Sequence, residues 1–68
     1  MKVNGEDFNF GSLKEKTISA LIDYHDLNQN HIAIEINGEV IQKSSYSSIV
    51  LKETDAIEII HFVGGGSA

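Results

Sequence analysis

The residues with the clearest chemical potential are Gly64, Gly65 and Gly66, which follow the apolar run Ile57-Glu58-Ile59-Ile60-His61-Phe62-Val63 and precede Ser67 and Ala68. Consecutive glycines give a stretch of backbone with little girth and no fixed shape. Such a tail can thread into a narrow active site that rejects a bulkier chain. Its functional group is then the carboxylate at its end, and the chemistry it invites is activation of that carboxylate by a partner. Ser67 and Ala68 cover Gly66, so Gly66 becomes terminal only if they are removed. A glycine run alone also suits a plain linker. What sets this one apart is the strand-like segment directly before it.

The rest of the chain offers little catalytic material. His25, His31 and His61 have no i, i+4 pairing and no HExxH context. Zinc needs three or four converging ligands, so no metal site is expected. Ser44, Ser45, Ser47 and Ser48 lack a matching His/Asp set and read as turn residues. Cysteine is absent, which removes disulfides, thiolate metal sites and Cys nucleophiles together. No catalytic residue and no intrinsic cofactor is therefore expected.

Composition narrows the partners. Sixty-eight residues make one domain, and ten acidic residues against five lysines give a formal charge of −5. That balance disfavours nucleic acid, where binding needs phosphate neutralisation by Lys and Arg. It disfavours an anionic membrane surface equally. It suits a basic docking surface on a protein, and it also serves plain solubility. No stretch approaches the roughly 20 apolar residues that span a bilayer. Met1-Lys2-Val3-Asn4-Gly5 lacks the apolar run of a signal peptide, which favours the cytoplasm.

The elements that position the tail follow from turn signals and periodicity. Asn4-Gly5 separates Lys2-Val3 from the alternating Phe8-Asn9-Phe10, and Asn37-Gly38 separates Ile32-Ala33-Ile34-Glu35-Ile36 from Glu39-Val40-Ile41. Asn-Gly between apolar runs marks a hairpin, because both residues accept the positive φ of a type I′ turn. Between the hairpins Thr17 can cap a helix carrying Ile18, Leu21, Ile22 and His25 at helical spacing, ending near Asp26, with Leu27 plugging the core after the last turn. Lys43 to Ser48 reads as a turn or one short helical turn, with Tyr46 as its anchor. Ile49-Val50-Leu51 returns to the core, Lys52 to Asp55 turns, and the last strand runs through Val63.

Hairpin, helix, hairpin, irregular segment, final strand is the β-grasp order, an α+β fold. A mixed sheet of four to five strands carries one helix across one face, with the last strand parallel to the first in the middle. The expected boundaries are a domain over 1–63 and a flexible glycine-rich tail over 64–68. Alternation turns Ile57 and Ile59 toward the helix with Val3, Ile32, Ile34 and Ile36. Ile60 and Phe62 then face solvent. Two large apolar residues on an open face suggest partner docking. Glu58 and Glu35 add an acidic strip beside Ile60, one that could meet arginines.

With these segments in place the chain resembles the sulfur-carrier family of thiamine (thiazole) biosynthesis, in the ThiS/MoaD ubiquitin-like group. The blocks that carry the resemblance run in order through the chain. They are Lys2 to Glu6, Thr17 to Ile22, Ala33 to Ile41, Ser45-Tyr46, Val50 to Ile60 and His61 to Gly66. Thr54 stands where the family often has a turn glycine, and Ser67-Ala68 extend past its usual diglycine end. The resemblance implies that the carboxylate of Gly66 is adenylated by a ubiquitin-activating-like adenylyltransferase using ATP. A persulfide from a cysteine desulfurase system converts it to a thiocarboxylate, and thiazole phosphate synthase receives the sulfur. Gly64 and Gly65 would thread into the partners' active sites, while Ile60, Phe62 and Glu58 dock. Ser67-Ala68 are then either a native cap that a processing peptidase removes first or an addition foreign to the natural chain. Related carriers for cysteine/homocysteine or molybdopterin synthesis, and a ubiquitin-like protein modifier, are the alternatives.

Overall fold

A computed structural model describes residues 1–62 of the chain; Val63, Gly64, Gly65, Gly66, Ser67 and Ala68 lie outside the described residues. The strands are β1 (Lys2–Val3), β2 (Glu6–Asp7), β3 (Ile32–Ile36), β4 (Glu39–Ile41) and β5 (Ala56–His61), and the helix is α1 (Ile18–Tyr24). Single 3-10 turns occupy Phe10–Ser12, Gln29–His31 and Lys43–Ser45.

Both Asn-Gly pairs form the expected turns. Asn4 and Gly5 have φ of 52° and 81°, and Asn37 and Gly38 have 53° and 86°. Left-handed backbone at both central positions is the type I′ geometry that matches strand twist. The first turn pairs β1 with β2, and the second pairs β3 with β4. The sheet order is β2-β1-β5-β3-β4, with β1 and β5 parallel and the other neighbours antiparallel.

α1 starts where the sequence indicates. The Thr17 hydroxyl accepts the N–H of Ala20 at 3.1 Å, satisfying a donor left free by the first turn. A helix of seven residues has little stability of its own, so its packing holds it. Ile18, Leu21 and Ile22 are buried against Ile32, Ile34, Ile57 and Ile59, and Leu13, Tyr46 and Leu51 close the core. Burying each isoleucine contributes about 1.5–3 kcal/mol. Asp26, with φ of 55°, turns the chain out of the helix, and Leu27 packs on the core rim. The arrangement is the β-grasp fold, with a five-stranded mixed sheet and one helix across one face.

Three local expectations are corrected. Phe8-Asn9-Phe10 is not a strand: β2 ends at Asp7, and the Asn9 side chain accepts the N–H of Gly11 at 3.1 Å to start a 3-10 turn. Phe8 and Phe10 still pack on the core, so their alternation reported burial rather than strand geometry. Val50 does not return to the core with Leu51; it is 66% exposed beside Thr17, with which it forms a single bridge. β5 ends at His61 with Phe62 past it, so the expected strand overruns at Phe62, and its expected last residue, Val63, lies outside the described residues.

Candidate functional site

The residues singled out for docking lie on β5 and just after it. β5 is the central strand, clamped by β1 on one side and β3 on the other. Its register on β3 runs from Ile36↔Ile57 to Ile32↔His61. Because side chains alternate across a strand, burial of Ile57 and Ile59 forces Glu58 and Ile60 onto the opposite face. Ile60 is 42% exposed and Phe62 52%. Beyond β5, the N–H of Phe62 donates to the His31 carbonyl at 3.1 Å, so the backbone is held to that point.

The same pairing brings other residues to this face. Ala33 lies opposite Ile60, Glu35 opposite Glu58, and Val40 opposite Glu35. Val40 is 67% exposed, more than either Ile60 or Phe62, yet its place on the face was not anticipated. The signal was present: once the Asn37-Gly38 turn fixes the register, Ile41 pairs with the buried Ile34 and Val40 must point the other way. The open face is thus Ile60, Phe62, Val40 and Ala33 around two carboxylates.

Those carboxylates shape its electrostatics. Like charges directly opposite each other on a sheet are destabilising. Among the described residues the one ion pair is Lys2 with Asp7, at 2.8 Å, so Glu35 and Glu58 have no cationic partner there. In the Lys2–Asp7 pair, the hydrogen bond from Lys2 and then its charge hold the Asp7 carboxyl below the ordinary aspartate value.

Two asparagine side chains fix β5 from its flanks. The Asn4 amide accepts the N–H of Ile59 at 2.6 Å and donates to the Ile59 carbonyl at 3.2 Å. The Asn37 amide accepts the N–H of Ala56 at 2.9 Å and donates to the Asp55 carboxylate at 3.0 Å. The other Asp55 oxygen accepts the Lys52 N–H at 2.9 Å, so this buried carboxylate closes the turn before β5. His61 projects from the opposite face to Ile60, level with Ile32. Among the described residues no three His, Cys, Asp or Glu side chains are grouped to hold a metal ion, and no helix is long and apolar enough to cross a membrane. The arrangement offers a grip and a firmly aimed strand end. Gly64, Gly65 and Gly66 lie outside the described residues.

Comparisons with known proteins agree on one family. The sequence model of the ThiS family matches residues 1–66. The sulfur carrier protein ThiS of Bacillus subtilis (strain 168) is 36% identical over 66 residues, covering 97% of this chain and 98% of that protein. A thiazole synthase of Paramagnetospirillum magneticum is 37% identical over 65 residues, covering 96% of this chain. This chain spans only 19% of that synthase's length. Among solved structures, the crystal structure of the thiamine biosynthesis protein ThiS from Geobacter metallireducens superimposes with a TM-score of 0.78 at 27% identity. That match covers 96% of each chain.

Proposed function

This chain belongs to the ThiS family, and we propose that Gly66 is the residue on which it carries sulfur. It is a sulfur carrier protein of thiamine biosynthesis, a co-substrate rather than a catalyst. One observation carries the assignment to Gly66: the family match covers residues 1–66, so the last matched residue is that glycine. Ser67 and Ala68 fall beyond it, so Gly66 offers a free carboxylate only in a chain that lacks them.

The cycle then runs on the partners' machinery. The Gly66 carboxylate attacks the α-phosphate of ATP on a ubiquitin-activating-like adenylyltransferase; pyrophosphate leaves and an acyl-adenylate forms. The terminal sulfur of a persulfide from a cysteine desulfurase system displaces AMP. A second thiol then attacks the resulting sulfur–sulfur bond, leaving with the donor's sulfur as a disulfide and releasing the thiocarboxylate. Thiazole phosphate synthase accepts that sulfur, a link supported by thiazole synthases that contain a segment similar to this chain. Ile60, Phe62 and Glu58 grip the adenylyltransferase while Gly64 and Gly65 thread its active site.

The test is intact mass spectrometry of chains spanning 1–66 and 1–68, each incubated with adenylyltransferase, ATP, desulfurase and cysteine. The 1–66 chain should gain the mass of an oxygen-to-sulfur exchange, and the 1–68 chain should not. No change in either, or conjugates to lysine in place of sulfur exchange, would overturn the assignment. The extension past Gly66 also favours a second reading, a processed carrier for cysteine/homocysteine or molybdopterin synthesis. Sulfur transfer from the loaded chain to those acceptors, but not to thiazole phosphate synthase, would select it.

A further inference from the structure

β1 ends at Val3, but β5 continues to His61. On the β1 side the carbonyl of Ile57 accepts the Asn4 N–H at 2.8 Å, and the Asn4 side chain takes both backbone groups of Ile59. Ladder groups alternate along a strand, so His61 is the next residue to face that side. On the β3 side the bonded position is Phe62, through His31, which turns the backbone groups of His61 away from β3. Among the described residues nothing pairs with the N–H or C=O of His61. The notch left by the early end of β1 therefore exposes a short strand edge.

A cavity of about 310 Å³ adjoins this edge. Val3, Phe8, Leu27 and Ile59 line it with His25 and His61. Glu6 also borders it, exposed and with no cationic partner among the described residues. An open backbone edge beside an apolar cavity is what strand addition uses: main-chain bonds hold the incoming segment, and alternate side chains fill the cavity.

We propose that this notch binds an extended peptide segment of a protein partner, with an apolar side chain in the cavity and a Lys or Arg opposite Glu6. Charge selects this occupant. A second copy would bring another −5, and residues 63–68 of this chain contain no cation. The proposal is independent of the role of Gly66, since every residue it uses lies within 1–62.

The experiment titrates the acetylated, amidated peptide Lys-Val-Thr-Val-Lys into the isotope-labelled full-length chain and follows its amide resonances. The backbone amide of His61 and the side-chain amide of Asn4 should shift, and exchange of the His61 amide should slow about tenfold. His61→Pro removes the unpaired donor while keeping the preceding residue extended. It should weaken binding about tenfold or more with the core intact. Glu6→Lys, an exposed change, should weaken it as well. Three results would overturn the proposal: shifts confined to Glu58, Ile60 and Phe62, binding that survives Glu6→Lys, or concentration-dependent shifts of the chain alone, which would point to a second copy.

Discussion

Asn4 and Asn37 each perform two tasks that no other residue type combines. Their backbones adopt the left-handed geometry of the turn, and their amides act as donor and acceptor together, Asn4 on Ile59 of β5 and Asn37 on Ala56 of β5 and the Asp55 carboxylate just before it. Asn37→Ala would keep neither and would leave the buried Asp55 carboxylate without its amide donor, so a loss of roughly 1–3 kcal/mol is expected in urea unfolding. Lys2 and Asp7 give a second, smaller effect. Asp7 has its pKa lowered by Lys2, so its contribution is present above the ordinary aspartate range and disappears as the pH falls through the lowered value. Both side chains are exposed, so solvent screens the pair and little stability is at stake. Lys2→Ala should move the Asp7 titration, followed by NMR, back up toward the ordinary value. The turns themselves were legible, because Asn-Gly has one dominant meaning between strands. The amide bonds to β5 were not, because they depend on which strand lies alongside, and that is a property of the sheet order.

Among the elements, α1 and the β3–β4 hairpin were readable from capping, periodicity and the turn pair. The first hairpin was half readable. Phe8 and Phe10 alternate like strand residues, but Asn9 offers its backbone a local hydrogen bond that competes with the ladder. Val50 shows the same limit, since an apolar run cannot say which of its members points outward. The β3–β4 turn also supplies a clean test of backbone strain. A Cβ placed on Gly38 would meet no atom within 4 Å, so Gly38→Ala isolates the cost of its φ of 86°. Thermal or urea unfolding should show a loss of about 1–2 kcal/mol. Across β3 and β5, the facing Glu35 and Glu58 carboxylates work against the sheet. Glu58→Lys should therefore raise stability by about 0.5 kcal/mol while weakening capture by the proposed adenylyltransferase partner. A gain in both would show that the pair has no docking role.

At the scale of the whole molecule, one sheet face is covered by a helix and, among the described residues, the other stays open. Ile60→Asp should leave the fold intact, by circular dichroism, and weaken binding to the proposed adenylyltransferase partner by about 2 kcal/mol or more if Ile60 is a central contact. Unfolding of that variant would contradict its exposure. The paired face of the sheet also bears on how the protein ages. Asn-Gly is the dipeptide most prone to spontaneous deamidation, because glycine's backbone nitrogen reaches the asparagine side chain unhindered by a Cβ. Both such pairs in this chain have their amides engaged on β5 or on the turn before it, so closing a ring through that nitrogen requires those hydrogen bonds to break first. The hydrogen bonds that clamp the central strand thus also act as chemical preservatives, and ammonia loss at either site becomes a slow clock that advances only while its hairpin is open.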